Sequence, residues 1–349
     1  MSYNSEFEHY VIAETCNLLQ ALEKLNANDK LTLIVLNSNE EVVGTITDGD
    51  IRRGILKGVS LEAPITTFMH SNFLFLKNGQ PDLALIDSAR KNKIRLLPVL
   101  NEEQKLVKLF DLTRKKSLLP VEAVLMAGGK GERLRPLTEK TPKPLLKLGN
   151  KAIIEYNIDN LSKFGVENVY ISVKYLADQI VDYLGKGDKY GLKIQYIRED
   201  EPLGTLGAVT LVEHFESDTV LVMNSDLFTN FDLEEFYKHF VEQGADMAIA
   251  TFPYVVSVPY GVLNIENSSV TSVAEKPTYT YHASAGMYLI RKEYFKLIPK
   301  NTFYNVTDLM DLLFSMQKKV TYFPIVGYWI DIGKPDDYKK AQEYVKYLE

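Results

Sequence analysis

The feature that most constrains this chain is an apolar segment that runs directly into three glycines. Residues Val121 to Met126 read VEAVLM, which is typical of a strand buried on both faces, and Gly128, Gly129 and Gly131 follow it. Beyond the glycines, segments of strand length alternate with segments of helical periodicity. Such alternation predicts an α/β fold, in which helices cover both faces of a mostly parallel sheet.

The alternation extends over most of the chain after the glycines. Helical spacing of apolar side chains predicts helices over residues 153–164, 178–184, 206–214, 233–243 and 335–347. Short apolar runs predict strands over residues 169–173, 192–197, 219–223 and 247–252. Residues 262–290 are rich in strand-forming side chains, and we expect them to add hairpins to the same sheet.

The chain before the glycines contains an internal repeat. The sequence LIVLN at 33–37, followed by EEVVG, returns as LPVLN at 97–101, followed by QKLVK. A helical segment precedes each copy, so each copy is a βαββα-like unit that buries its apolar face against the other. The sequence KKSLLP at 115–120 indicates a linker, because a charge pair and a proline interrupt the pattern. We therefore predict two domains, 1–117 and 121–349.

Composition excludes several classes of protein. The net charge of −6 argues against a general nucleic-acid binder, which usually has a basic excess. Cys16 is the one cysteine, so no intrachain disulfide forms and a reducing compartment is expected. The N-terminus lacks the apolar core of a signal peptide, and no apolar run is long enough to span a bilayer. We expect a cytoplasmic protein without a nucleic-acid or membrane partner.

The glycine-rich loop suits the binding of phosphate. Glycines leave backbone N–H groups accessible, so the loop can form a nest around the oxygens of a triphosphate. Arg133 adds a bidentate cation, Arg135 can assist it, and two prolines hold Lys143 in a rigid segment. The spacing differs from that of the P-loop and of the dinucleotide fingerprint. If the glycines are considered alone, the alternative to a phosphate-binding loop is a tight turn that binds no ligand.

The segment GGKGERLRPLT at 128–138, followed by PKPLL at 142–146, resembles the signature of the sugar-1-phosphate nucleotidyltransferases. The resemblance runs from Val121 to the C-terminus, because EPLGTLGA at 201–208, NSD at 224–226, EKP at 275–277 and WIDIG at 329–333 follow in the family's order. It implies a Rossmann-like nucleotidyltransferase domain, in which a sugar-phosphate oxygen attacks the α-phosphorus of an NTP and pyrophosphate leaves. Because that nucleophile is already ionised at neutral pH, alignment and charge neutralisation carry the catalysis.

The resemblance also implies a role for individual residues. Arg133 and Lys143 are implied as catalytic cations, and Asp226 and Asp331, each at the end of an apolar run, as ligands of Mg²⁺. The residues implied to bind the NTP are Met126, Ala127, Gly128, Gly129, Gly131, Glu201, Gly204 and Thr205. Those implied to bind the sugar 1-phosphate are Gly261, Glu275, Lys276 and Gly286.

Several of these residue types also have common structural roles. An aspartate after a strand is often a helix cap or a turn residue, and an EKP sequence is often a solvated turn. The sequence NVTD at 305–308 can reach the sugar, but Thr307 or Asp308 can equally be the N-cap of a helix over 309–316. At this point both interpretations of these residues stay open.

In the first repeat, GTITDGDIRR at 44–53 resembles the end of a CBS motif, which occurs in paired domains (Bateman modules) that sense adenosine-type ligands. The resemblance implies that Thr47 bonds the phosphate and Asp50 the ribose of an adenine nucleotide, beside a helix N-terminus. The second copy has Asp111 and Arg114 at the matching positions, which puts its site in doubt. The alternative to nucleotide binding is that the repeated unit is only a dimerising spacer. Because CBS pairs self-associate, the resemblance also implies a homo-oligomer, either a dimer or a higher assembly.

Together these motifs predict magnesium-dependent transfer of a nucleoside monophosphate from an NTP to a hexose or hexosamine 1-phosphate, with the CBS pair as a regulatory module. GTP is favoured, since EPLGTLGA resembles the guanylyl and uridylyl relatives more than the thymidylyl type, which has glutamine there. One alternative is a non-catalytic nucleotide sensor, which would have lost key residues of the transferase motifs. The other is a cytidylyl-, uridylyl- or thymidylyltransferase that acts on another phosphate acceptor. The base and the sugar stay open.

Overall fold

In the computed structural model, which describes residues 7–347, the chain divides after Leu119 into two units. The strands of the N-terminal unit are β1 Val11–Ala13, β2 Thr32–Leu36, β3 Val42–Thr47, β4 Leu76–Lys77, β5 Leu96–Leu100 and β6 Leu106–Asp111. Its α-helices are α1 Leu18–Asn26, α2 Asp48–Leu56 and α3 Leu83–Lys91. Two three-stranded sheets result, in the orders β1–β2–β3 and β4–β5–β6.

The two sheets of the N-terminal unit repeat one register. In the first sheet Ala13 pairs with Leu36 in parallel, and in the second Lys77 pairs with Leu100 in parallel. Each antiparallel pair, β2–β3 and β5–β6, contains one register irregularity at the corresponding position, directly before Leu36 in the first sheet and directly before Leu100 in the second. The copies differ after their last strands, because within the described residues α2 has no counterpart between β6 and the start of the second unit.

The C-terminal unit contains more elements. Its strands are β7 Val121–Met126, β8 Lys147–Leu148, β9 Lys151–Ala152, β10 Asn168–Val173, β11 Lys193–Arg198, β12 Thr219–Asn224, β13 Leu227–Thr229, β14 Met247–Ser257, β15 Val262–Glu266, β16 Ser269–Ala274, β17 Thr278–Arg291, β18 Val320–Pro324 and β19 Trp329–Asp331. Its α-helices are α4 Ile153–Lys163, α5 Ala177–Leu184, α6 Leu233–Glu242, α7 Val306–Ser315 and α8 Pro335–Val345. Each helix within residues 7–347 is too short or too polar to cross a membrane.

Seven strands form the central sheet, in the order β11–β10–β7–β12–β17–β14–β18. Strand β17 runs antiparallel to both of its neighbours, and the other pairings are parallel. Strand β7 lies between β10 and β12, and its first five residues are buried, as expected of a parallel strand that is covered on both faces. The predicted α/β fold with a mostly parallel sheet is confirmed. The carboxyl ends of β10, β7 and β12 meet at one edge of this sheet, which is where open α/β sheets bind ligands.

Two local predictions and one of the alternatives left open are wrong. The segment 206–214 forms only a 3₁₀ helix over Gly207–Leu211, because the N–H groups of Leu206 and Gly207 donate to the carbonyl oxygen of Tyr304, at 2.9 and 3.1 Å. Strands β15 and β16 pair with each other as a separate sheet, although β17 does join the central sheet. Helix α7 begins at Val306 with Asn305 as its N-cap residue, not with Thr307 or Asp308.

Candidate active site

The glycine-rich loop leaves β7 between two neighbouring strands that hold its first residues in place. The N–H of Ala127 donates to the carbonyl oxygen of Ser172 on β10, at 2.9 Å. On the other side, the N–H and the hydroxyl of Ser225 both donate to the carbonyl oxygen of Met126, at 3.2 and 2.7 Å. The loop therefore starts from a rigid position at the carboxyl edge of the sheet.

Gly131 turns the loop back over Lys143. Its φ of 60° is in the left-handed region, and a methyl group there would lie 3.0 Å from Thr138 Cγ2 and 3.1 Å from Lys143 Cβ. Any larger residue would therefore meet both backbone strain and side-chain contact. Glycine at this position lets the loop and the proline-flanked lysine lie next to each other.

The loop encloses a cavity of about 450 Å³ at the edge of the sheet. Most of the residues predicted for the phosphate half of the site line it, together with Ser225, which the sequence did not single out. The lining residues are Met126, Ala127, Gly129, Lys130, Gly131, Glu132, Arg133, Lys143, Pro144, Ser225 and Asp226. Backbone N–H groups, an arginine and two lysines at one cavity suit an anionic, phosphate-bearing ligand.

Asp226 and Asp331 are brought together by a short pair of strands. Asp226 lies between β12 and β13, and β13 pairs antiparallel with β19, so that Leu227 lies opposite Asp331. The N–H of Ile332 donates to the carbonyl oxygen of Asp226, at 3.2 Å. The two carboxylates thus share one corner of the site, although they are far apart in the sequence.

Charges around this corner are closely balanced. Burial raises the pKa of Asp331, and the negative charge of Asp226 raises it further, while Lys143 and Arg133 act against both effects. Lys143 forms an ion pair with Asp226, and both side chains are largely buried. The guanidinium of Arg133 lies against Gly333, where a methyl group would be 3.4 Å from Nη2.

The donor set at this corner fits a hard divalent cation. The Oδ1 atom of Asp226 is buried and has no hydrogen-bond partner, which is costly unless a ligand occupies it. Within residues 7–347 no group of three or more acidic, histidine or cysteine side chains is arranged to hold a metal ion. Two carboxylates are therefore what the chain offers here, and the remaining ligands of Mg²⁺ would be phosphate oxygens and water.

Asn157 is a site residue that the sequence analysis missed. This side chain on α4 is 2% exposed, and its amide donates to the carbonyl oxygens of Ser225 and Leu227, at 3.1 and 2.9 Å. Both residues flank Asp226, so the amide fixes the backbone that carries this carboxylate. A polar residue on the apolar face of the predicted helix, between Ile154 and Ile158, was the available signal.

Glu199 is a second residue that was missed. One carboxylate oxygen accepts the hydroxyl of Ser172, and the other accepts the N–H of Leu203, at 3.0 Å. A methyl group at Gly128 would lie 2.9 Å from Glu199 Oε1. Glu199 therefore packs against the glycine-rich loop and anchors the EPLGTLGA segment beside it.

The EPLGTLGA residues predicted to bind the base do not line the cavity. Glu201 is exposed and lies 3.9 Å from Lys174, at the limit of an ion pair. Gly204 has a φ of 73°, and a methyl group there would lie 2.7 Å from the carbonyl oxygen of Tyr304. The hydroxyl of Thr205 accepts the N–H of Val306, at 2.8 Å. Gly204 and Thr205 thus dock this loop on the start of α7.

The residues predicted to bind the sugar phosphate fall into two groups. Gly286 has a φ of 74°, and a methyl group there would lie 2.6 Å from Asn224 Nδ2, which places it beside the NSD segment. Gly261 and Glu275 meet each other next to the β15–β16 hairpin, where a methyl group at Gly261 would lie 3.1 Å from Glu275 Oε2. Lys276 follows with a φ of 45° and is exposed. None of the four lines the cavity of the glycine-rich loop.

In the N-terminal unit, Thr47 and Asp50 bond to each other. Thr47 is the N-cap of α2, and the carboxylate of Asp50 accepts both its N–H, at 2.8 Å, and its hydroxyl, at 2.6 Å. The other oxygen of Asp50 contacts Arg53 and His70, at 2.5 and 3.0 Å. These two residues therefore have a structural role as a capping box.

A cavity of about 590 Å³ opens beside this capping box. Its charged lining is mostly cationic, consisting of Lys30, Arg52, Arg53, Lys93 and Arg95 against Asp48 and Asp50. In the second repeat, Asp111 stands where Thr47 stands in the first, and its carboxylate pairs with the buried Lys30 at 2.9 Å. The cavity suits an anion, and in the second copy the carboxylate of Asp111, at the position of Thr47, is already paired with Lys30.

The capping box makes the stability of the N-terminal unit depend on pH. Burial acts to raise the pKa of Asp50, but the bonds from Thr47 and the pairs with Arg53 and His70 outweigh it, and the pKa is lowered. The stabilisation is therefore present above the pKa of an unfolded aspartate and is lost as the pH falls through the lower, folded value. We expect Asp50→Asn to destabilise the unit by about 2 kcal/mol at pH 7, and the difference to shrink below about pH 4.

Hydrogen exchange of α2 measures this effect without interference from the other unit. Asp48→Asn is the matched control, because Asp48 pairs with the exposed Arg52, and such surface pairs contribute about 0–1 kcal/mol. Equal effects of the two substitutions, or an effect of Asp50→Asn that does not change with pH, would contradict the prediction.

The chain matches the Nucleotidyl transferase family over residues 122–347 and the CBS domain family over residues 8–57. The bifunctional protein GlmU of Methanocaldococcus jannaschii is 33% identical over 233 residues, which is 64% of this chain and 54% of that protein. D-glycero-alpha-D-manno-heptose 1-phosphate guanylyltransferase of Aneurinibacillus thermoaerophilus is 32% identical over 235 residues, which is 65% of this chain and 99% of that protein.

A solved structure agrees with these relatives. The crystal structure of HddC from Yersinia pseudotuberculosis complexed with GMP-PN covers 64% of this chain and 99% of its own, with 29% identity and a TM-score of 0.50. The family match extends over the whole C-terminal sheet and includes the glycine-rich loop, Asp226 and Asp331. The chain therefore belongs to the nucleotidyl transferase family of enzymes, and it carries a CBS domain in its N-terminal unit.

Proposed function

We propose that this protein transfers a nucleoside monophosphate from an NTP to a hexose or hexosamine 1-phosphate and releases pyrophosphate. GMP is the nucleoside monophosphate that we favour. The observation that carries the proposal is the meeting of phosphate-binding groups and two carboxylates at one edge of the sheet. The glycine-rich loop, Arg133, Lys143 and Asp226 line one cavity, and Asp331 lies close enough to experience the charges of Asp226, Lys143 and Arg133. The name of the Aneurinibacillus relative and the GMP-PN bound to HddC support guanine as the base.

The chemistry of the proposed reaction needs no base from the protein. A non-bridging oxygen of the sugar phosphate forms a bond to the α-phosphorus, the bond to the β-phosphate oxygen breaks, and pyrophosphate leaves with its electron pair. Arg133 and Lys143 hold the phosphates in line and offset the negative charge that accumulates on them. Mg²⁺ held by Asp226 and Asp331 would neutralise further charge on the phosphate oxygens.

Glu275 and Lys276 are proposed to bind the sugar phosphate. Within the described residues their side chains have neither an ion-pair nor a hydrogen-bond partner, so both are available to a ligand. The hydroxyl groups of a sugar suit a carboxylate acceptor, and a phosphate suits an ammonium group. Gly261, which lies against Glu275, leaves room for a sugar at the same place.

A panel of substrates tests the proposal. Each of the common NTPs is combined with Mg²⁺ and a hexose or hexosamine 1-phosphate, and pyrophosphate release is measured. We expect the highest kcat/KM with GTP. Release with UTP, CTP or dTTP instead would reassign the base, and no release with any pair would refute the transferase proposal.

For the N-terminal unit we propose a tandem CBS pair that binds an adenine nucleotide and regulates the transferase within a homo-oligomer. The cationic cavity beside Thr47 and Asp50 supports an anionic ligand, and the repeated register of the two sheets supports a pair. AMP, ADP and ATP are expected to bind with a stoichiometry of about one per chain, because the second copy has Arg114 in place of Asp50, and its Asp111, in place of Thr47, is paired with Lys30. Unchanged transfer rates together with no binding would favour a dimerising spacer.

A further inference from the structure

The EPLGTLGA segment is joined to the start of α7 by a continuous set of contacts. The N–H groups of Leu206 and Gly207 donate to the carbonyl oxygen of Tyr304, and the N–H of Tyr304 donates back to Leu203, at 3.0 Å. A methyl group at Gly207 would lie 2.4 Å from the carbonyl oxygen of Thr302, so the two backbones touch. The 203–207 loop is thus formed against another part of the chain and has no regular structure of its own.

One side chain of this loop completes the contact. The hydroxyl of Thr205 accepts the N–H of Val306, the first residue of α7, at 2.8 Å. The first N–H groups of a helix have no partner inside the helix, so an acceptor from another segment satisfies one of them. At the other end of the loop, Glu199 accepts the N–H of Leu203 and packs against Gly128 of the glycine-rich loop. The 203–207 loop is therefore held at both ends.

We propose that Thr205 is a positioning residue, whose hydroxyl fixes the 203–207 loop on α7 in the geometry that admits the nucleotide. The inference rests on the proposed function and on the role in NTP binding that the resemblance implies for Gly204 and Thr205 of this loop. Thr205 is exposed, and accepting one N–H leaves its own O–H free. The proposed effect of Thr205 on nucleotide binding comes from its bond to α7, which sets the position of the loop. Without the bond, the loop keeps its backbone contacts to Tyr304 but loses its attachment to the helix.

Two substitutions remove the bond from opposite sides. Thr205→Val removes the acceptor and keeps the shape of the side chain. Val306→Pro removes the donor, and proline is well tolerated at the first position of a helix. Asn305 has φ −94° and ψ 159°, an extended conformation that suits the residue before a proline. Thr205→Ser keeps the acceptor oxygen, and Val306→Ala keeps the N–H while it removes the same buried side-chain packing.

The measurements are KM and kcat for GTP in the full chain, together with GTP binding in the absence of the sugar phosphate. Thr205→Val and Val306→Pro are each expected to raise the KM for GTP about fivefold, the size of one net hydrogen bond, with kcat changed less than about twofold. The double variant is expected to be no worse than either single one, since both remove the same bond. Thr205→Ser is expected to recover most of the effect, and Val306→Ala to keep the wild-type KM.

Several outcomes would overturn the inference while the proposed function stands. These are an unchanged KM in Thr205→Val, equal defects in Thr205→Val and Thr205→Ser, or additive defects in the double variant. A fall in thermal stability without a change in KM would reduce Thr205 to a merely structural residue. If the unmodified protein neither turns over nor binds any NTP, the proposed function itself fails, and the inference loses its premise with it.

Discussion

Asp226→Asn is expected to lower pyrophosphate release by at least about a hundredfold. The substitution keeps the shape of the side chain but removes one of the two negative charges at the corner where Mg²⁺ would be held. The backbone around position 226 is held by the amide of Asn157 and by the β13–β19 pair, neither of which depends on the carboxylate. The loss is therefore expected in kcat, with the fold intact.

Binding of Mn²⁺, followed by its electron paramagnetic resonance signal, separates this loss from a general defect. We expect weaker Mn²⁺ binding in Asp226→Asn. Asp178→Asn is the matched control, because Asp178 is 82% exposed, pairs with Arg198 at 2.8 Å and does not line the cavity. If Asp226→Asn retained more than about a tenth of the activity, the assignment of Asp226 as a metal ligand would be wrong.

Lys143→Met is expected to have effects of opposite sign on turnover and on cation binding. Turnover is expected to fall about a hundredfold, because the substitution removes a buried positive charge that would offset the negative charge of the phosphates. Cation binding is expected to become tighter, because Lys143 now pairs with Asp226 and opposes the negative charge at Asp331. Without the lysine, the two carboxylates attract a divalent cation more strongly.

The same two measurements test this second prediction. Lys151→Met is the control, since Lys151 is half exposed and pairs with Asp159 on the surface of α4. Weaker Mn²⁺ binding in Lys143→Met would show that the lysine supports the cation site instead of opposing it. Activity close to that of the unmodified protein would remove Lys143 from the catalytic cations.

Most of the fold was predictable because local signals agreed with the tertiary structure. Strand β7 is apolar except for Glu122 and lies inside the sheet between β10 and β12, and the helices around it show apolar spacing. The prediction of a helix over 206–214 is wrong for a reason that lies outside that segment. Leu206 and Gly207 give their N–H groups to Tyr304, almost a hundred residues later in the chain, and no local pattern encodes that bond.

In the candidate site, too, features encoded by neighbouring residues were predictable, and features that depend on distant residues were not. The glycine-rich loop and Lys143 are close in the sequence, so their motif could be read directly, and the structure places them at one cavity. Asn157 and Glu199 were missed because the hydrogen bonds that place them at the site, from Asn157 to Ser225 and from Ser172 to Glu199, join distant parts of the chain. In the sequence, Asn157 is a polar interruption of a helical face, and Glu199 is one of two acids before EPLGTLGA.

The sequence by itself determined the two-part organisation, the α/β class and the family, because periodicity and contiguous motifs are local properties of the chain. Only the tertiary structure decided which charges meet. Pairing of β13 with β19 places Asp331 next to Asp226. Burial raises the pKa of Asp331, the charge of Asp226 raises it further, and Lys143 and Arg133 act against both effects. Likewise, the docking of the 203–207 loop on α7 gives Thr205 a partner in Val306. Electrostatic and hydrogen-bond partners depend on distances in space, which the order of residues along a chain does not specify.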